Sequence, residues 1–234
     1  PSSPYLDQER SACLGRPDPA GARPVWLLVV DPDEAPSYAA RHPDALFLVL
    51  PEAGRKVGYA RAVAQHVSST AGPTRTAFYW SLDDNLVRFQ KWEPSGARTE
   101  AEPGRPGVPR FLEAMLYAQT LPDAEDYGLI GFLRQRGTAV RATQSHATNV
   151  LSIYKCLLVN NKALGAAKAR YNASLSRFED IALTHRALAS GLKTLKCYSY
   201  SYVAANLRSG GCADLRFELR GDHFLGRDDV AEPL

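Results

Sequence analysis

One stretch limits what this chain can become: Phe78-Tyr79-Trp80-Ser81-Leu82-Asp83-Asp84-Asn85. Aromatic residues suit the pleated, half-buried surface of a strand. Carboxylates do not suit its interior, because an unpaired buried charge is costly. The residues therefore predict a strand over Thr76–Leu82 whose acids emerge at its carboxyl end. In an open α/β sheet that end is where ligands bind. Adjacent oxygen-bearing acids there suit a hard divalent cation with a phosphate beside it. A strand closing in an Asp/Asn turn is the plainer reading of the same residues.

The residues around this stretch set the fold class. Pro24–Val30 and Ala45–Leu50 are continuous apolar runs, as expected of strands covered on both faces. A short helix over Ala35–Arg41 lies between them. A glycine-bearing loop, Ala53-Gly54-Arg55-Lys56-Val57-Gly58, leads into a helix over Tyr59–Ser69. Ala60, Val63, Ala64 and Val67 recur there at helical spacing. Strand, helix, strand, helix, strand predicts an α/β fold with a mostly parallel sheet and helices on both faces.

Composition removes some function classes. The 234 residues are 45% hydrophobic, enough for a real core, and carry a formal net charge of +3, too little to require a nucleic-acid partner. No run of 18 apolar residues exists, so no transmembrane helix is expected. Cys13, Cys156, Cys197 and Cys212 are too far apart for a zinc ribbon, and reduced thiols in an intracellular protein are expected. Asn172-Ala173-Ser174 fits the N-glycosylation pattern, which matters only in a secreted chain. The start at Pro1, without Met or an apolar signal, suggests a segment of a longer or processed protein.

The rest of the chain adds a second half. Residues 1–23 read as a lead-in segment and 24–234 as one domain. Within it, 24–90 have the topology of a nucleotide-binding half, 91–108 form a Pro/Gly-rich flexible loop, and 109–234 form a second half. A helix is expected from Pro109 to about Gln119, with Phe111, Leu112, Met115 and Leu116 on its apolar face. Strands are expected over Tyr127–Phe132, Ser152–Val159 and Lys193–Tyr202. In the last, Tyr198, Tyr200 and Tyr202 alternate with Cys197, Ser199 and Ser201. Gly128 and Gly131 suggest close approach by a ligand or another backbone. A helix near 178–190 is expected to bury Phe178, Ile181, Ala182 and Leu188 and to stop at Gly191. Ser176 and Glu179 match a capping box at its start.

Several motifs follow one another in order: Arg23-Pro24-Val25-Trp26, His42-Pro43 with Leu48-Val49-Leu50-Pro51, Gly58-Tyr59-Ala60-Arg61, Tyr79 through Asn85, Tyr127 through Phe132, and Phe178-Glu179-Asp180. Together they resemble the TET/JBP-associated glycosyltransferases, of the kind found as the C-terminal domain of the growth-regulation-by-oestrogen-in-breast-cancer proteins. The resemblance spans residues 23 to about 205. It implies a GT-A type, Rossmann-like fold with a smaller acceptor-side subregion. It also implies transfer of a sugar from a nucleotide-sugar, UDP-GlcNAc or UDP-glucose, with inversion.

The resemblance assigns roles residue by residue. Asp83, Asp84 and Asn85 would seat Mn²⁺ or Mg²⁺ on the donor diphosphate, with His223 completing the metal shell. The family's spaced Asp-x-Asp is Asp-Asp-Asn here, which leaves open which residue touches the metal and whether one is needed. Asp31, Gly58, Tyr59, Arg61 and Asp83 would hold the donor, Arg61 through its phosphates. Asp180 would be the general base, with Glu179 assigned to the helix cap. The implied acceptors are a Ser/Thr hydroxyl on a protein or a hydroxymethylated DNA base, in the nucleus rather than the cytoplasm. Arg134, Arg136, Arg141, Lys155, Lys162, Lys168 and Arg170 would make a basic face for DNA. Two rivals remain open: a catalytically inactive interaction domain, and a phosphate-handling hydrolase using the same acids.

Overall fold

The computed structural model describes residues 25–70, 76–92, 98–99, 110–135 and 144–205. The chain opens with a parallel pair of strands, β1 (Leu27–Val30) and β2 (Leu46–Val49), joined by α1 (Ala35–Arg41). Then come α2 (Val57–Thr70), β3 (Phe78–Leu82), β4 (Leu86–Trp92), β5 (Arg98–Thr99) and α3 (Arg110–Gln119). The second half holds β6 (Tyr127–Arg134), β7 (His146–Thr148), β8 (Cys156–Asn160), α4 (Asn161–Ala166), α5 (Glu179–Ala189) and β9 (Lys193–Ala204). No helix among the described residues is long and apolar enough to cross a membrane.

The α/β class and the helices on both faces are as expected; the sense of the sheet is not. Strands β3 to β9 form one sheet in the order β3-β8-β6-β9-β4-β5, with β7 also on β9. Only β6 and β9 pair in parallel there; the other five pairings are antiparallel. Two connections explain the difference. The turn at Asp83–Asn85 leads straight into β4, α4 follows β8 with no loop between, and neither β4 nor α4 was evident as an element. Rhythm in the first third of the chain cannot report pairing made by the rest.

Alternation along β6 and β8 sorts side chains to two layers. Ile130, Phe132 and Leu158 pack with α3, through Phe111, Ala114 and Ala118. Leu129, Leu157 and Val159 pack with α4 and α5, through Leu164, Leu183 and Ala187. Trp80 lies flat on Phe132, with ring centroids 5.6 Å apart. The buried stripe of α3 is thus Phe111, Ala114 and Ala118, while Leu112 and Met115 are only partly covered. Strands β1 and β2 are not covered on both faces: Leu27, Val29, Leu46 and Val49 are exposed.

Two further expectations need correction. Strand β8 begins at Cys156 rather than Ser152, because Lys155 has a left-handed backbone (φ 69°) that no strand accommodates. The tyrosine alternation in β9 breaks between Cys197, opposite Phe132, and Ser201, opposite Leu133. The intervening residues bulge toward Ser145, whose carbonyl accepts from Tyr198 N at 2.8 Å. Cys197, Tyr200 and Tyr202 therefore share one core. Cys156 and Cys197 are buried free thiols; Cys13 and Cys212 lie outside the described residues.

Candidate functional site

Three places on the chain meet at Arg61. Arg61 is only 7% exposed, although it belongs to an otherwise ordinary helix. It donates to Ser81 Oγ and to Asp83 Oδ1 at the end of β3. Its Nε lies 3.7 Å from Glu179 Oε1, and one terminal nitrogen lies 3.7 Å from Asp180 Oδ2. Burial alone would lower its pKa, but the fields of Asp180 and Asp83 more than reverse this and hold it well above the usual value. Arg61 is thus fixed as a cation among carboxylates, not spread on a solvated helix face.

Helix α2 reaches these acids because its buried side is polar. Gln65, one turn after Arg61, accepts from Tyr171 N at 2.9 Å. Gly58 lets the same segment approach. Its N–H donates to Leu175 O at 3.0 Å, and a Cβ there would lie 2.5 Å from that oxygen and closer still to Asn172 O. The glycine expected to admit a donor therefore admits the protein's own backbone. Gly131 is similar, since a Cβ would strike Ile153 and Leu157. Tyr59 is buried in the small cluster that joins α2 to Leu48 and Leu50 of the β2 region.

Asp180 is held from three sides. Tyr171 OH donates to its Oδ1 at 3.0 Å, and Lys155 N donates to its Oδ2 at 3.0 Å. The third contact is Arg61. The residue is 4% exposed. Glu179 is not a cap residue, contrary to expectation: Phe178 is the N-cap of α5, makes no side-chain cap bond, and has a left-handed backbone (φ 60°). That turn leaves Ser176 out of the cap and places Glu179 beside Arg61. Burial first, then the Asp180 charge, push the Glu179 carboxyl up to about 7. The buried face of α5 is accordingly Asp180, Leu183, Thr184 and Ala187, not Phe178, Ile181, Ala182 and Leu188.

Lys155 was expected on a basic surface and belongs to this cluster instead. Its ammonium lies 2.7 Å from Asp83 Oδ2 and 3.1 Å from Asn85 Oδ1. Its carbonyl accepts from Asp83 N at 2.8 Å. One residue therefore touches the acid turn with side chain and carbonyl, and Asp180 with its amide. The strained φ values of Lys155 and Phe178 flank the acids, and such strain persists only where surrounding contacts over-determine it.

Among the described residues the expected metal seat is not assembled. Asp83 has one oxygen on Arg61 and the other on Lys155, and the Asn85 oxygen is also on Lys155. Asp84 stands exposed at the turn. Among the described residues no three of His, Cys, Asp and Glu converge as a metal would need. His223 lies outside the described residues. Asp31 lies apart from the cluster: its oxygens accept from Asp33 N (3.1 Å) and Gly54 N (2.6 Å), tying the end of β1 to the glycine loop.

The structure brings Arg61, Asp83 and Asp180 together, and adds Glu179, expected as a cap, Lys155, expected on a basic face, and Tyr171, which the sequence did not single out. The signal for α5 was present in the helical spacing of Asp180, Leu183, Thr184 and Ala187. Nothing local marks Lys155 or Tyr171.

A family model described as TET-Associated Glycosyltransferase matches residues 16–211. No curated protein matches the sequence. Among solved structures, S. aureus TarS residues 1–349 in complex with UDP-GlcNAc superposes with a TM-score of 0.57 at 12% identity, over 94% of this chain and 59% of that one. TarS 1–349 without that ligand in its description gives 0.53 at 12% identity, over 86% and 57%. The chain thus spans less than two thirds of the TarS chains it matches, and the likeness is one of fold, GT-A-like.

Proposed function

The chain belongs to the TET-associated glycosyltransferase family, and on that premise we propose that it transfers a sugar from a nucleotide-sugar to a hydroxyl with inversion. The observation that carries this is the meeting of α2, the end of β3 and the start of α5 around Arg61. UDP-GlcNAc is the donor bound by the solved TarS complex. It is proposed here as donor, with UDP-glucose as the alternative sugar.

Asp180 is proposed as the general base. Tyr171 OH and Lys155 N orient its carboxylate, and each oxygen keeps a further lone pair for an incoming proton. The acceptor oxygen attacks the anomeric carbon as its proton passes to Asp180, and the bond from that carbon to the diphosphate breaks. Negative charge grows on the leaving diphosphate, where the cations Arg61 and Lys155 supply positive field. Mn²⁺ or Mg²⁺ chemistry would act as a Lewis acid at that oxygen, but no step here is assigned to it, since the oxygens of Asp83 are already paired. Glu179 offers a second reading for the base, because a carboxyl near 7 suits proton transfer at neutral pH.

The acceptor is proposed to be a protein Ser/Thr hydroxyl, with a hydroxymethylated DNA base as the rival. The reassignment of Lys155 to the site takes one charge from the basic face that DNA would need. The test is product analysis with UDP-GlcNAc and UDP-glucose, offered a Ser/Thr peptide pool or a hydroxymethylated duplex. Asp180→Asn should lower transfer by about 10²–10⁴-fold while the protein stays folded. Full activity in that variant, with loss in Glu179→Gln, moves the base to Glu179. Donor binding without transfer to either acceptor favours an interaction domain.

A further inference from the structure

We propose that Lys155 is the resident cation of the diphosphate seat and stands in for a divalent metal on the acid turn. The inference rests on the donor-binding reading above.

Its ground is the way Asp83 is used. A metal on this turn needs more than the one exposed carboxylate of Asp84, and both oxygens of Asp83 already face nitrogen cations. Arg61 takes one and is locked, with its side chain 8% exposed. Lys155 takes the other, at 2.7 Å, and its side chain is 20% exposed. The Lys155 ammonium therefore sits at the outer edge of the cluster, where a ligand meets it first. An ammonium has three donors. Asp83 and Asn85 accept from two, at 2.7 and 3.1 Å. The third is the one offered to a phosphoryl oxygen.

The backbone supports a placed rather than incidental lysine. A left-handed backbone is unfavourable for a non-glycine residue, and Lys155 holds that conformation at φ 69°. The strain lets one residue bond Asp83 through its carbonyl and Asp180 through its amide, while the ammonium meets Asp83 and Asn85. The local charges are those of Asp83, Asp84, Glu179 and Asp180 against Arg61 and Lys155. A diphosphate entering beside four carboxyl groups needs a cation at its own surface, and Lys155 is the more exposed of the two.

The experiment is calorimetric titration of the chain with UDP, and with GDP and ADP as further probes, in EDTA and in Mn²⁺. Lys155→Gly is the informative variant, because glycine adopts positive φ without strain and the loop is kept while the ammonium is removed. Lys155→Arg, which keeps the charge, is the control should the glycine variant unfold. The wild type is expected to bind in EDTA with little change in Mn²⁺. Lys155→Gly is expected to bind about tenfold or more weakly in EDTA and to recover in Mn²⁺, because Asp83 and Asn85 are freed for the metal. Lys155→Arg is expected to keep metal-independent binding. A wild type that binds only with Mn²⁺, or a Lys155→Gly variant unchanged in EDTA, overturns the assignment and leaves the donor site standing. No binding of any probe in either condition overturns the donor-site reading itself, and this assignment with it.

Discussion

Glu179 is 7% exposed, next to Asp180, with a carboxyl pushed up to about 7 from the usual 4.5. Burial is the larger cause and the Asp180 charge the second. In the unfolded chain both causes vanish, so the folded state holds this proton more tightly. The resulting stability is fully present below the unfolded value of about 4.5 and is lost as pH rises through about 7. The wild type should therefore lose on the order of a few kcal/mol across that window from this group alone. Glu179→Gln has no such proton to lose. Denaturation series between pH 5 and pH 8 should show the variant gaining on the wild type as pH rises. Parallel pH slopes in the two proteins would show that Glu179 is an ordinary exposed carboxylate.

The site is held at the level of elements by α2. Its Gly58 admits the 172–175 backbone, its Arg61 collects the acids, and its Gln65 anchors Tyr171. Gly58→Ala puts a methyl against two backbone oxygens that have no flexible end to move. Overpacking of this kind costs about 1–3 kcal/mol. The shift would be passed to Tyr171 and hence to Asp180. The variant should melt lower and also bind donor more weakly; an unchanged melting temperature would mean that the close approach is not kept in solution. Gly58 and Arg61 were legible in the sequence as a pair, but their tasks were not. Spacing marks a helix face, whereas the partner of that face is set by residues about a hundred positions away. The same limit explains α5. An apolar-only template selected Phe178 and Ile181 and passed over the face bearing Asp180, because a buried ion pair makes a charged position part of the core. Lys155 was unreadable for a related reason. Its role depends on a positive φ, and no local residue announces one.

Across the whole molecule, β1 and β2 form a parallel pair of their own, and the larger sheet interleaves β3, β4 and β5 with β6 to β9. Class and helix layers could be read from periodicity and apolar runs. Strand sense could not, since β6 and β9 pair in parallel while β8, between β3 and β6, runs against both. That arrangement places β3, α2 and α5 on neighbouring paths, and their ends converge on one cluster. The fold likeness to TarS at 12% identity is what a shared layout with divergent side chains gives. The central claim is that this cluster is where a nucleotide-sugar binds. Amide hydrogen exchange of the chain with and without saturating UDP-GlcNAc, repeated with UDP-glucose, tests it most directly. Protection is expected at 57–61, 81–85, 153–156 and 178–181 together, because these segments share one hydrogen-bonded site. Protection confined to other segments, with these four unchanged, would contradict it.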